Sequence, residues 1–335
     1  MREEPTTVVY ENDCGRRKEG EKGYTARMDI KAYGMTDIGK WRLENQDQFL
    51  IGELRDGMSI QLGSVSTDRI LRFPPARGTF LIVADGMGGH AGGRIASAVA
   101  VECFARYLRW KAKELLVPST QLLDSLSEGV CYCHKALRKM CNRYPDLRSM
   151  GTTLTAAYVL GKKAYIVHVG DSRCYLIRQG WAEQLTTDHT LAQLYTNANP
   201  TEPPPWKSTK EQQNKMSHVL WNCLGGREEN LQIETIEREL EPRDMLILCS
   251  DGLSKYIDRE SMVAVATQAP SVETACHKLV AAANEAGGSD NVTVVLAECI
   301  AMSDSPSMHQ VVNQATEETA AFDLPPRQHE FVSCD

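Results

Sequence analysis

The chain has 335 residues, is 42% hydrophobic and 24% charged, and carries a formal net charge of −7 with a pI near 5.7. That length suits one domain of about 250 residues with tails, and an acidic balance without any basic run argues against nucleic acid as a partner. The polar start has no signal-peptide core and no apolar stretch reaches the ~18 residues that span a bilayer, so a cytoplasmic protein with no membrane partner is expected.

Residues 1–27 are dominated by charge and turn formers and read as a flexible tail. Strands follow at 28–37 and 47–52. The Gly/Pro/Ser/Arg-punctuated stretch 53–78 reads as a long hairpin insertion, and TFLIVA at 79–84 as a buried strand. Ile95, Val99, Cys103 and Tyr107, four apart, predict a helix over 93–110 that buries that face. A second helix covers about 120–142. Strands near 152–160, 163–169 and 173–178 are separated by gaps too short for parallel crossovers, so they are antiparallel neighbours. The polar, proline-rich stretch at about 188–222 breaks the pattern. A strand resumes at 243–249, and helices follow near 260–268 and 271–286, the latter capped by Ser271 and stopped by Gly287-Gly288. The last strand is 291–297, and 301–335 reads as a second tail. Antiparallel strands with grouped helices indicate an α+β layered fold over 28–300.

Four aspartates stand at the ends of apolar runs, each followed by Gly, Ser or Asn: LIVADGMGGH (Asp85), IVHVGDSR (Asp171), MLILCSDGL (Asp251) and GGSDNVTVVL (Asp290). A fifth, Asp47 in RLENQDQFL, precedes a short apolar run. A carboxylate at the mouth of a buried strand is costly unless paired. No matching set of basic residues stands beside them in the sequence, so the compensating charge is expected to be metal. Oxygen-only ligands favour Mg²⁺ or Mn²⁺. The eleven cysteines are scattered through apolar or helical patterns, which fits free thiols in a reducing compartment. Cys131-Tyr132-Cys133-His134 lacks a second pair at zinc-module spacing. Gly151-Thr152-Thr153 lacks the lysine of a nucleotide phosphate loop and reads as a tight turn into a core strand. His134, His168, His218 and His277 have no partner pattern and are expected to be structural or exposed.

Together TDIGKWRLENQD, VADGMGGHAGG, MGTTLTAAYV, HVGDSRCYLI, LTTDHTLAQ, LCSDGL and SDNVTVV, in this order over about 28–300, resemble the motifs of the metal-dependent serine/threonine protein phosphatases of type 2C, in their bacterial branch. The resemblance implies a four-layer α-β-β-α sandwich of two antiparallel sheets flanked by helices. It implies two Mn²⁺ or Mg²⁺ ions held by Asp47, Asp85, the Gly86 carbonyl, Asp251 and Asp290, and a third ion at Asp171 shared with Asp251. It further implies metal-activated water attack on phosphoserine and phosphothreonine without a phosphoenzyme, Arg42 as the phosphate grip, and a flap over 188–222. His90 takes the place of the histidine in the bacterial GGH pattern, as a proton donor through water or as a loop-ordering residue. Asn291 is expected to orient Asp290 or a metal-bound water. The implied partners are phosphoproteins, among them a serine/threonine kinase and its substrates, met by a monomer. The competing reading is a phosphoprotein-binding or partner-switching regulator with the same fold and no turnover.

Overall fold

The structure is a computed structural model and describes residues 28–54, 58–64, 78–88, 92–116, 120–198, 216–226 and 231–301. The expected tails, His90 and most of the proline-rich part of the flap lie outside these residues.

Two antiparallel sheets are stacked face to face. The first holds β1 (Met28–Asp37), β13 (Val292–Ala301), β12 (Met245–Cys249), β8 (Arg173–Arg178) and β9 (Trp181–Gln184), in that order. The second runs β10 (Leu224–Gly225), β5 (Gly151–Thr152), β4 (Gly78–Met87), β6 (Leu154–Leu160), β7 (Lys163–Val169) and β11 (Glu234–Glu239). β2 (Asp47–Leu54) pairs with β4 and carries β3 (Met58–Gly63) beside it. Between the sheets, Phe49, Ile51, Leu81, Val83, Leu246 and Leu248 form one buried cluster.

Helices close both outer faces. α1 (Gly92–Trp110) and α3 (Leu122–Arg143), with the short α2 (Ala112–Leu115) between them, pack on the second sheet through Phe104, Leu108, Val130 and Leu137. After α4 (Leu191–Ala198) and the one-turn α5 (Asp251–Ser254), α6 (Arg259–Gln268) and α7 (Val272–Ala286) cover the first sheet through Met262, Leu279 and Val280. The expected α-β-β-α order is therefore the one observed.

Differences from the sequence reading have physical causes. The fully buried ridge of α1 is Ala96, Ala100 and Phe104, whereas Ile95 and Val99 are only half-buried. The alanines let the helix approach the sheet closely, so the larger aliphatic residues sit at the flank. β9 and β11 were not expected. They are edge strands, and β11 reads ETIERE, with charge in place of the apolar run that marks an inner strand. The irregular stretch after residue 186 holds α4 and β10. At α7 the reading holds: the Ser271 hydroxyl accepts from Thr274 N at 3.1 Å, and Gly287 and Gly288 end the helix.

Candidate metal centre

The β2–β4 register places Asp47 directly opposite Asp85. Like charges in that position repel, so the pairing is costly unless something offsets it. Asp251 opens α5 immediately after β12, and Asp290 lies in the turn that leads into β13. β12 and β13 are paired neighbours, which brings these two ends together. Asp171 follows Gly170, whose φ of +112° and contact with Thr153 exclude a side chain there. All five aspartates thus gather at one end of the sandwich, around a cleft of about 1330 Å³ lined by Asp85, Asp171, Asp251, Asp290 and Arg42.

The main chain around these residues is tightly held. Asp85 N donates to the Thr153 hydroxyl at 2.9 Å, and the Thr152 hydroxyl donates to Asp85 O at 2.9 Å. The Gly151-Thr152-Thr153 segment, β5 and the residue after it, therefore clamps Asp85 as well as leading into a core strand. At Gly86 a Cβ would lie 2.1 Å from the Gly93 carbonyl, so the glycine is required by the close approach of the first turn of α1. Ser250 and Thr293 hydroxyls donate to Asp47 Oδ2 at 2.6 and 2.7 Å. Asn291 meets Asp290 through its main chain, and its side chain has a second role. Its side chain accepts from Gln46 N and donates to the carbonyls of Ile38 and Glu44, which ties down the loop between β1 and β2. Its backbone N–H, at 3.0 Å, is what holds Asp290 Oδ1.

The electrostatics describe a site short of positive charge. Burial pushes the Asp47 carboxyl up to about 7, against the Ser250 and Thr293 hydrogen bonds and with added repulsion from Asp251 and Asp290. Burial, then Asp47, Asp251, Asp171 and Asp290, drive Asp85 well above the carboxylate range. Asp171 is pushed up to about 8 by burial and by Asp251 and Asp188, despite Lys255 and Arg173. Asp290 goes the other way: burial raises it, but Arg42 and Lys255 together outweigh burial and hold it below the ordinary value.

Among the described residues, Arg42 and Lys255 form ion pairs with this cluster. Arg42 forks onto Asp290 at 2.7 and 2.8 Å. The Lys255 ammonium bridges Asp251 at 2.6 Å and Asp290 at 3.1 Å. Arg42 and Lys255 fall short of a set of basic residues matching the five aspartates. Lys255 was missed because a lysine four residues after an aspartate at a helix start reads as a surface pair. His218, expected to be structural or exposed, is at the cleft with Nδ1 3.8 Å from Asp251 Oδ2.

The compensation remains incomplete. Asp47 Oδ1 and Asp251 Oδ1 are buried and have no hydrogen-bond partner among the described residues. Five converging carboxylates with two orphaned oxygens, and an ammonium seated between two of the others, form a donor set that fits hard divalent cations. A second grouping, His168, His189 and Glu234, brings its ligating atoms within 4.8 Å of one another. Its atoms are already committed. His168 Nε2 faces the carbonyls of Gly170 and Thr187, so it carries the proton, while Nδ1 faces the Thr155 hydroxyl. His189 Nδ1 accepts from Gly170 N and Asn222, and both Glu234 oxygens accept from Thr187.

Comparison with known proteins gives the same picture. The family described as Protein phosphatase 2C matches residues 55–285. The chain is 35% identical over 220 residues to the serine/threonine protein phosphatase PstP of Mycobacterium tuberculosis, covering 66% of this chain and 40% of that protein. The chain thus spans well under half the length of that relative. It is 30% identical over 266 residues to the serine/threonine phosphatase stp of Listeria welshimeri, covering 78% of this chain and 93% of that one. Among solved structures, the catalytic domain of PstP in complex with two manganese ions aligns at 30% identity with a TM-score of 0.62, over 82% of this chain and 99% of that one.

Proposed function

The chain belongs to the protein phosphatase 2C family, and on that premise we propose that it hydrolyses phosphoserine and phosphothreonine in phosphoproteins with Mn²⁺ or Mg²⁺, opposing a serine/threonine kinase. The single observation that carries this reading is the convergence of Asp47, Asp85, Asp171, Asp251 and Asp290 on one cleft with buried, unpartnered carboxylate oxygens. Asp47, Asp85, the Gly86 carbonyl, Asp251 and Asp290 are the residues that would hold two ions, and Asp171 with Asp251 a third. Bound there, such ions acidify water and screen charge on the phosphoryl oxygens.

The chain's own residues do the rest. Ser250 and Thr293 hold Asp47 Oδ2, which leaves Oδ1 buried and without a partner among the described residues. Thr152 and Thr153 fix the position of Asp85. Arg42 is 53% exposed at the cleft, and its planar fork suits two phosphate oxygens as well as it suits Asp290. Its position supports exchange of one anion for the other. No helix among the described residues is long and apolar enough to cross a membrane. The described cysteines are free thiols, most of them buried, which supports a reducing, cytoplasmic setting. We read the protein as a monomer.

The test is hydrolysis of p-nitrophenyl phosphate and of a phosphothreonine peptide with Mn²⁺, with Mg²⁺ and with excess chelator. Turnover is expected only with metal. Asp85→Asn, with an unchanged circular dichroism spectrum, is expected to lose roughly three orders of magnitude. A folded wild-type protein with no turnover under any metal would overturn the reading in favour of a binding regulator.

A further inference from the structure

The loop between β1 and β2, residues 38–46, combines unusual rigidity with exposed apolar side chains. It is held from several directions. Lys40 N donates to Gly288 O at 2.8 Å, Gly39 N to Asp37 Oδ1 at 2.8 Å, and Asn291 Nδ2 to the carbonyls of Ile38 and Glu44 at 2.9 and 3.0 Å. Gly39, at φ +77°, lies so close to Asp290 O that a Cβ would come within 2.2 Å of it. Trp41 itself is oriented by a 3.2 Å bond from Nε1 to Gly287 O. Yet Trp41 is 76% exposed and Leu43 is 96% exposed, the most exposed large apolar side chain described. A mobile loop could turn such residues inward or leave them averaged over many positions. This one presents them in a fixed place.

Between them in sequence is Arg42, which lines the cleft and pairs with Asp290. Trp41 and Leu43 lie outside the cleft lining, on the same fixed loop that sends Arg42 into it. The part of a substrate that can reach them is therefore the residues flanking the phosphoryl group in its own chain. The surface is also too small for a second copy of this protein. A tryptophan contributes about 150–250 Å² and a leucine less, whereas a stable interface needs about 800 Å² per partner. It matches one or two side chains of a peptide.

We propose that Trp41 and Leu43 form an apolar shelf that receives a large apolar residue flanking the phosphorylated serine or threonine of the substrate. The proposal rests on the phosphatase reading above and adds a substrate preference to it. Phosphopeptides with Leu, Phe or Met next to the phosphoresidue are selected over those with Ser or Gly there. The contribution is to binding, because the shelf lies beside the reacting atoms and does not touch them.

The experiment compares kcat/KM for matched phosphopeptides carrying Leu or Ser on either side of the phosphothreonine, with p-nitrophenyl phosphate as a substrate too short to reach the shelf. Wild type, Trp41→Ala, Leu43→Ser and the double variant are assayed with Mn²⁺. Wild type is expected to prefer the Leu peptides about tenfold, the scale of one buried aliphatic side chain. The double variant is expected to lose that preference through KM, with p-nitrophenyl phosphate turnover within about twofold of wild type. Equal use of Leu and Ser peptides by wild type, or a preference that survives in the double variant, would overturn the shelf. So would a concentration-dependent dimer in sedimentation that the double variant abolishes without any peptide preference. Absence of turnover on every substrate would refute the phosphatase reading instead. The shelf is then judged by titration calorimetry of the same peptides, where equal affinities overturn it and a Leu preference lost in the double variant supports it.

Discussion

Two buried polar clusters lie side by side in this molecule and differ in how their demands are met. The first is His168, His189, Glu234 and Asn222, joined through Asp188 to Arg173, which forks onto Asp188 at 2.8 and 2.6 Å. Both His168 nitrogens, His189 Nδ1 and both Glu234 oxygens find donors or carbonyls within the protein. The second is the five-aspartate cleft, where two buried oxygens find none among the described residues and repulsion adds to burial. Ligating atoms within 4.8 Å of one another mark the histidine cluster among the described residues, not the aspartates. Proximity of ligating atoms is therefore a poor guide, and unmet hydrogen-bonding capacity is the better one: a satisfied network rigidifies the fold, an unsatisfied one is set up for something from outside.

The sharpest way to break this comparison is pH, because the clusters titrate with opposite sign. In metal-free protein Asp47 is raised from 3.8 to about 7 and Asp171 to about 8. A carboxyl raised on folding contributes stability that is intact below its unfolded value and lost as pH rises through the folded one. His168 and His189 are lowered from 6.5 to about 3 and about 4, chiefly by burial. His168 is pushed further down by His189, whereas Asp188 pulls His189 up. Their contribution is intact above pH 6.5 and lost as pH falls through those values. Between pH 6.5 and 8 only the carboxyls act. Chelator-treated protein is expected to lose stability there, by an amount of order a few kcal/mol in urea unfolding, and Mn²⁺ to reverse it. Asp47→Asn should remove its share of the fall up to about pH 7 and steepen the acid limb, because the raised carboxyl opposes the histidines between pH 3.8 and 6.5. A flat profile in chelator would mean that the cleft is not short of positive charge.

The next effect in size isolates the cation already inside the cleft. Lys255 neutralises part of Asp251 and Asp290, so a divalent ion must displace it. Lys255→Met keeps most of the side-chain volume and removes the charge. It is expected to tighten Mn²⁺ binding about tenfold by calorimetry, equivalent to about 1.4 kcal/mol, and to lower the melting temperature of the metal-free protein. If neither quantity moves, the ammonium is a bystander.

How far the sequence disclosed this contrast follows from what each cluster is made of. Asp85, Asp171, Asp251 and Asp290 stand out because an ionisable residue followed by a turn former ends an apolar run, a local pattern. Their convergence was available only through resemblance. It depends on pairings such as Asp47 opposite Asp85 and β12 beside β13, which join residues far apart in the chain. The histidine cluster left no local signature at all: His168 lies inside a strand, His189 in a loop and Glu234 at the start of an edge strand whose charged residues hid it from an apolar-run criterion. Inner strands and long amphipathic helices were legible for the converse reason, since burial writes a period into them. The expected face of α1 is buried at Cys103 and Tyr107 and only half-buried at Ile95 and Val99, because small residues, not large ones, mark where a helix comes closest to a sheet.

The smallest expected effect compares one chemical change in both clusters. The Thr187 hydroxyl donates to Glu234 Oε1 at 2.9 Å, and the Thr293 hydroxyl donates to Asp47 Oδ2 at 2.7 Å. Thr→Val at either position keeps the shape and deletes one hydrogen bond to a carboxylate, at a cost of about 1 kcal/mol in unfolding free energy, and at position 293 it also removes the 2.7 Å partner of the Thr36 hydroxyl. Beyond that shared cost the two variants should part. Glu234 retains the Thr187 N–H and faces a closed network, so Thr187→Val should leave Mn²⁺ affinity unchanged. Asp47 needs its charged form to hold a cation, and the Thr293 hydroxyl is one of two groups that favour that form against burial. Thr293→Val should therefore weaken Mn²⁺ binding several-fold as well as destabilise. Equal Mn²⁺ affinities in the two variants, measured at the same pH, would show that hydrogen bonding to the ligand carboxylate does not tune the site and that the clusters differ in content but not in kind.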